Sequence, residues 1–225
     1  MLIKINVEGG TEYQFVRKII RPHLNKFGYN VVPFINETSP EHHGGITRYE
    51  KFRENMLMLK PRKEPCVIST MIDFYQLPKD FPGMSSLSSV TADEDKVLFL
   101  EKSLKEDLSD LEPYFIPYIQ LHEFEALLFS DIHEVDRKLK VNRGSRVIEL
   151  RTLLERYGEP ENINTVCAPS IHLKNLYPVY RKVAEGIPIA ERIGLDVMRE
   201  KCHHFDYWMK ELEEFGFAKN QPEIK

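Results

Sequence analysis

The run CVISTMID, residues 66–73, is uncharged until it closes on an aspartate. A strand without a polar face must be covered on both sides, so this segment is expected to lie at the centre of a layered sheet. Its flanks fit that demand. LIKINVEG alternates and stops at Gly9-Gly10, which predicts a first strand near residues 2–8. Thr11 resembles an N-cap, and Tyr13, Phe15, Val16, Ile19, Ile20, His23, Leu24 and Phe27 follow at helical spacing up to Gly28. Asn30 to Ile35 reads as a second strand. The polar loop NETSPEHHGG then leads into a helix from about Thr47 to Leu59, stopped by Pro61.

After Asp73, FYQLPKDFPGMSSLSS reads as a long irregular loop. A charged helix follows from about residue 92 to 107, a fourth strand near 115–121, and a helix start at Glu123–Phe129. From Asp131 onward the pattern is helical, with breaks at Gly144, Gly158, Pro160, Pro169, Gly186 and Gly194. The β-α-β-α-β order implies an α/β fold with a mostly parallel sheet flanked by helices. No linker separates an α/β core of about 1–130 from a helical C-terminal part of about 131–225, so residues 1–225 are expected to form one unit.

Composition excludes several classes. Over 225 residues, 42% are hydrophobic and 29% charged, as in ordinary globular proteins. No run approaches the ~20 apolar residues that span a bilayer, and MLIKINVEGG does not read as a signal peptide. Cys66, Cys167 and Cys202 form no CxxC pair. They suit a reducing compartment, hence a cytoplasmic protein without a cysteine-based zinc site. The net charge of -4 is not that of a globally basic nucleic-acid binder. Cations are nevertheless concentrated in two runs, Arg137 to Arg156 (which holds Arg143, Arg146 and Arg151) and Arg48 to Lys63. Such faces can hold phosphates on an acidic protein, or can be solvated helix surface.

In open parallel sheets, sites form beyond the carboxyl ends of the strands. Three expected strands end in acids: Glu8, with Glu12 one helical turn on; Asp73; and Glu123 with Glu125, preceded by His122. Carboxylates gathered there repel one another unless a cation joins them, and hard oxygen donors favour Mg²⁺ or Mn²⁺. Each acid also has a plain structural reading. Glu8 could favour the helix dipole, Glu12 could belong to the helix start, Asp73 could hold an Asx turn, and Glu123 and Glu125 could face solvent. Their joint placement at three strand ends favours the site.

Glu8-Gly9-Gly10-Thr11-Glu12 after a first strand, with a later strand ending in Asp73, resembles the toprim fold of topoisomerases, primases and overcoming-lysogenization-defect nucleases. More narrowly, VEGGTE, IDFYQLP, LHEFEALLFSD, CAPSIHLKNLYPVYRK and IGLDVMREKCHHFDYW resemble a bacterial toprim-like family often encoded beside an ABC- or AAA-type ATPase. The resemblance implies Mg²⁺- or Mn²⁺-dependent phosphodiester chemistry on DNA or RNA, an ATPase partner and a phage-defence setting. It leaves homodimerisation open. It places Glu8 and Asp73 in the catalytic, metal-binding set, with Glu123 or Glu125 replacing the second acid of the toprim Asp-x-Asp, where this chain has Tyr75. Lys174 or Arg181 would steady developing charge, and His122, His172, His203 and His204 are acid/base candidates. Lys182, Arg199 and Trp208 read as helix packing. Arg143, Arg146 and Arg151 are expected beside the acids, holding the nucleic-acid backbone. The competing reading is a non-catalytic binding or sensing subunit with a toprim shell.

Overall fold

A computed structural model describes residues 1–39, 42–43, 45–61, 66–140, 144–163 and 167–215. Its centre is the expected parallel sheet. Strand β1 (Leu2–Val7) lies between β2 (Asn30–Ile35) and β5 (Cys66–Asp73), and β5 pairs on its far side with β6 (Phe115–Ile116) and β7 (Ile119–Gln120). All eight residues of β5 are buried, as its uncharged run requires. Period-two alternation divides its side chains between two cores. Val67 and Met71 join one, with Phe15, Ile20 and the C-terminal helices. Ile68 and Ile72 join the other, with Phe52, Met56, Val97, Leu100 and Leu104.

Several expectations are corrected. The fourth strand is two short pieces because Pro117 lacks an N–H and interrupts the ladder. Across the gap Thr70 Oγ1 accepts from the Tyr118 N–H at 2.8 Å and donates to the Tyr118 carbonyl at 2.8 Å. The polar loop after β2 carries an antiparallel hairpin, β3 (Glu37–Ser39) with β4 (His42–His43). The first helix begins at Gly10 after Gly9, so Thr11 lies inside it. It runs through Gly10–Phe15, a π-turn at Val16–Ile20, and Arg21–Asn25 (together α1).

Helix α2 (Tyr49–Met58) and α3 (Asp93–Asp107) cover one face of the sheet. The segment Phe124–Asp131 is 3₁₀ where an α-helical start was expected, and its residues from Phe124 to Phe129 are all buried. With Phe124, Ala126, Leu127, Leu128 and Phe129 it has no solvent face to offer. It leads into α4 (Ile132–Leu139), capped by the Asp131 side chain on the His133 and Glu134 N–H groups. Helices α5 (Val147–Tyr157), α6 (Pro169–Leu176), α7 (Ile187–Ile193), α8 (Leu195–Lys201) and α9 (His203–Glu214) complete the described chain. Gly186 does not break the helical pattern: a π-turn at Lys182–Gly186 runs directly into α7. Among the described residues no helix is long and apolar enough to cross a membrane.

Candidate functional site

The carboxyl ends of β1, β5 and β7 lie side by side because the three strands are neighbours and parallel. Asp73 closes β5, and Glu8 and Glu123 follow β1 and β7 closely, so the acids are brought together. Glu8 follows β1, and its Oε2 accepts the Asp73 backbone N–H at 2.9 Å. Asp73 closes β5, and its Oδ1 accepts the Phe124 N–H at 3.0 Å. Glu123, just beyond β7, accepts the Ser170 N–H at 3.0 Å. Glu125 accepts the Tyr180 hydroxyl at 3.1 Å. Glu12, in the first turn of α1, is 5% exposed. Each strand-end acid is thus held by a donor from a different part of the chain.

One cation enters this group. The Lys182 ammonium lies 3.4 Å from Glu123 Oε1 and 3.1 Å from Glu125 Oε2. The lysine also donates a hydrogen bond to Glu123 Oε1, so it bridges the two carboxylates. Tyr180 and Lys182 reach the same carboxylate because Arg181 between them is extended (φ -132°, ψ 129°), which puts residues i and i+2 on one side. Arg181 points away and is exposed, as is Lys174. Among the described residues neither pairs with an acid of the group. Lys182, expected in helix packing, therefore takes the position foreseen for Lys174 or Arg181. The i, i+2 pairing of Tyr180 and Lys182 ahead of a helix was the available signal. Gly186 makes room, since a Cβ there would lie 2.9 Å from the Tyr180 hydroxyl.

Five carboxylates around one ammonium carry excess negative charge, and their protonation reflects it. Burial, then the Glu8 charge, pushes Glu12 up to about 7. Burial, then Glu12 and Glu8, raises Asp73 well above the usual carboxylate range. Burial also raises Glu8 and Glu125, against the pull of Lys182. Burial alone would lower Lys182, but Glu125, Glu123 and Asp73 outweigh it and the shift is upward.

The remaining candidates divide. His122 is buried, with φ +65° and its Nε2 3.8 Å from Asp93 Oδ2. Burial lowers its pKa. Its carbonyl accepts the Tyr75 N–H at 2.9 Å. Tyr75 itself is 39% exposed and contributes no oxygen in place of the missing acid. His204 pairs with Glu101 at 3.0 Å, His203 lies 3.8 Å from Glu159, and His172 packs edge-on against Tyr157. Arg146 pairs with Glu149 at 2.9 Å, and Arg151 is exposed. Among the described residues neither arginine contacts the acids. Arg143, Arg62 and Lys63 lie outside the described residues.

The donor chemistry suits a hard divalent cation: all oxygens, all carboxylate, with one ammonium among five acids. Among the described residues no three His, Cys, Asp or Glu side chains stand in metal-ligating geometry.

A family model matches residues 7–213, from the end of β1 to the last helix. The chain belongs to the family described as Domain of unknown function (DUF4276). The match takes in every acid of the site together with Lys182. Two solved structures resemble this DUF4276 chain. Both are of the C-terminal region of the Xanthomonas campestris pv. campestris OLD protein, phased with iodine and with platinum respectively. Each is 15% identical, covering 96% and 97% of this chain and 97% of the other, with TM-scores of 0.37 and 0.39. At those scores the likeness carries no argument about the site. No curated protein matches the sequence.

Proposed function

We propose that this protein is a nuclease-like hydrolase that cleaves phosphodiester bonds in DNA or RNA with Mg²⁺ or Mn²⁺, working with an ABC- or AAA-type ATPase in a defence-type system. The observation that carries the reading is the gathering of Glu8, Asp73, Glu123 and Glu125 beyond three adjacent strands, with Glu12 beside them and one ammonium paired to two of the five. A bound cation would relieve the repulsion that one ammonium leaves among these buried acids.

On this reading Glu8, Asp73, Glu123 and Glu125 would hold the cation, with Glu12 as a further ligand. Bound Mg²⁺ or Mn²⁺ would neutralise phosphate charge and ready a water for attack. The protein's part is orientation. The backbone N–H groups of Asp73, Phe124 and Ser170 fix Glu8, Asp73 and Glu123, so these carboxylates need little rearrangement on loading. Exposed cations, Arg146 and Arg151 on one segment and Lys174 and Arg181 on another, would hold the substrate backbone.

The test is incubation of the purified chain, alone and with a partner ATPase, with DNA and RNA in Mg²⁺ or Mn²⁺. Cleavage by the wild type and its loss in Glu8→Gln and Asp73→Asn are expected. Absence of cleavage of both nucleic acids under every condition, or full activity in Glu8→Gln, overturns the reading. Nucleic-acid binding without cleavage would then favour the non-catalytic subunit.

A further inference from the structure

We infer that Lys182 is a built-in counter-ion, which a divalent cation must displace before it can bind at Glu123 and Glu125. The inference rests on the metal-site reading above and adds its regulation.

The ammonium sits 3.1–3.4 Å from the same carboxylates that a metal would need. An ion bound to those oxygens at about 2.1 Å would lie within a few ångströms of the ammonium, where like charges repel strongly beside buried carboxylates. The two cations therefore compete. The lysine reaches these acids from the outside. Its side chain is 35% exposed while Glu123 and Glu125 are 8% and 0% exposed, so it enters from the surface and can withdraw along the same path. It donates to Glu123 Oε1 at 3.4 Å and pairs with Glu125 Oε2 at 3.1 Å. Lys182 also begins a short π-turn, next to exposed Val183 and Ala184, so its withdrawal leaves the core undisturbed.

The acids do not depend on Lys182 for their placement. Glu8, Asp73, Glu123 and Glu125 are each anchored by a donor elsewhere: the N–H groups of Asp73, Phe124 and Ser170, and the Tyr180 hydroxyl. When the lysine leaves, the carboxylates keep their positions and gain a demand for another cation. With the lysine in place the same group is partly neutralised, and a scarce metal is refused.

Calorimetric titration of the full-length chain with Mn²⁺ alone tests this. Lys182→Met is expected to bind Mn²⁺ at least tenfold more tightly than wild type, and Lys182→Arg, which keeps the charge, no more tightly than wild type. A second measurement needs no variant. Acetylation of the Lys182 amine in wild type, followed by mass spectrometry, should be slow in chelator and several-fold faster in saturating Mn²⁺. Equal or weaker Mn²⁺ binding by Lys182→Met, or equal Lys182 acetylation with and without Mn²⁺, overturns the inference. So does the absence of Mn²⁺ binding in every form. Tighter binding by Lys182→Met without cleavage of any nucleic acid would refute the nuclease reading and leave this one standing. Cleavage by wild type with Mn²⁺ affinity unchanged in Lys182→Met would do the reverse.

Discussion

Two groups of shielded charge in this protein are balanced in opposite ways. Around Arg199 the charges are matched. Its guanidinium pairs with Asp206 and Glu213, Lys210 reaches Asp206 at 2.7 Å, and His23 closes on Glu213. Against burial, hydrogen bonds from Lys210 and Arg199 hold Asp206 below the usual carboxylate range. At the strand ends a single Lys182 faces five acids, and burial with mutual repulsion pushes Glu12 and Asp73 upward. The first group joins α1, α8 and α9 and is complete. The second is incomplete as protein alone, and charge balance is what separates a structural lock from a candidate site.

The largest effect should come from breaking the matched group. Arg199→Met leaves Asp206 and Glu213 without their main partner and should cost about 3 kcal/mol, read by urea unfolding. A loss under about 1 kcal/mol would show that the network is no lock. Next is repair of the unmatched group. Mn²⁺ at 100 times its Kd should stabilise the wild type by about 2.7 kcal/mol, seen as a rise in Tm that Asp73→Asn abolishes. If Asp73→Asn responds equally, the acids are not the binding site.

A smaller effect follows from removing one of the repelling charges. Glu12→Gln should stabilise the metal-free protein by about 1–2 kcal/mol at pH 8. The sign follows from the shift. With a folded pKa of about 7 against an ordinary 4.5, protonated Glu12 contributes its full stability below pH 4.5, and that contribution is lost as pH rises through 7. Glu161, also raised to about 7 by burial, acts in the same direction. Wild-type Tm should therefore fall from pH 5 to pH 8, and Glu12→Gln should fall less steeply; parallel curves would remove Glu12 from the unmatched group. The smallest effect concerns exposed cations, which neither group uses. Arg151→Ala should lower the salt slope of nucleic-acid binding by about 1, and an unchanged slope would take this surface out of the substrate path.

The sheet was legible because its signals are local. Alternation in LIKINVEG, the uncharged run before Asp73 and the stop at Gly28 each act within a few residues. The acids could be placed for the same reason, since a residue closing a strand of a parallel sheet has only one end to occupy. Local reading failed where one residue changed the rule. Pro117 split the fourth strand by removing an N–H, and the apolar run 124–129 took a 3₁₀ path with no solvent side to guide it.

Sequence by itself determined the parallel order, the burial of β5 and the identity of the acids at three strand ends. Only the tertiary structure decided which cation faces them. Lys174, Arg181 and Lys182 look alike in one dimension, and the choice fell to Lys182 through the extended backbone at Arg181. The pair it makes with Glu123 joins residues 59 apart. No periodicity reaches that far, because the contact depends on how α6 and the π-turn pack against the 3₁₀ segment Phe124–Asp131 and α1, and that is settled by packing over the whole core.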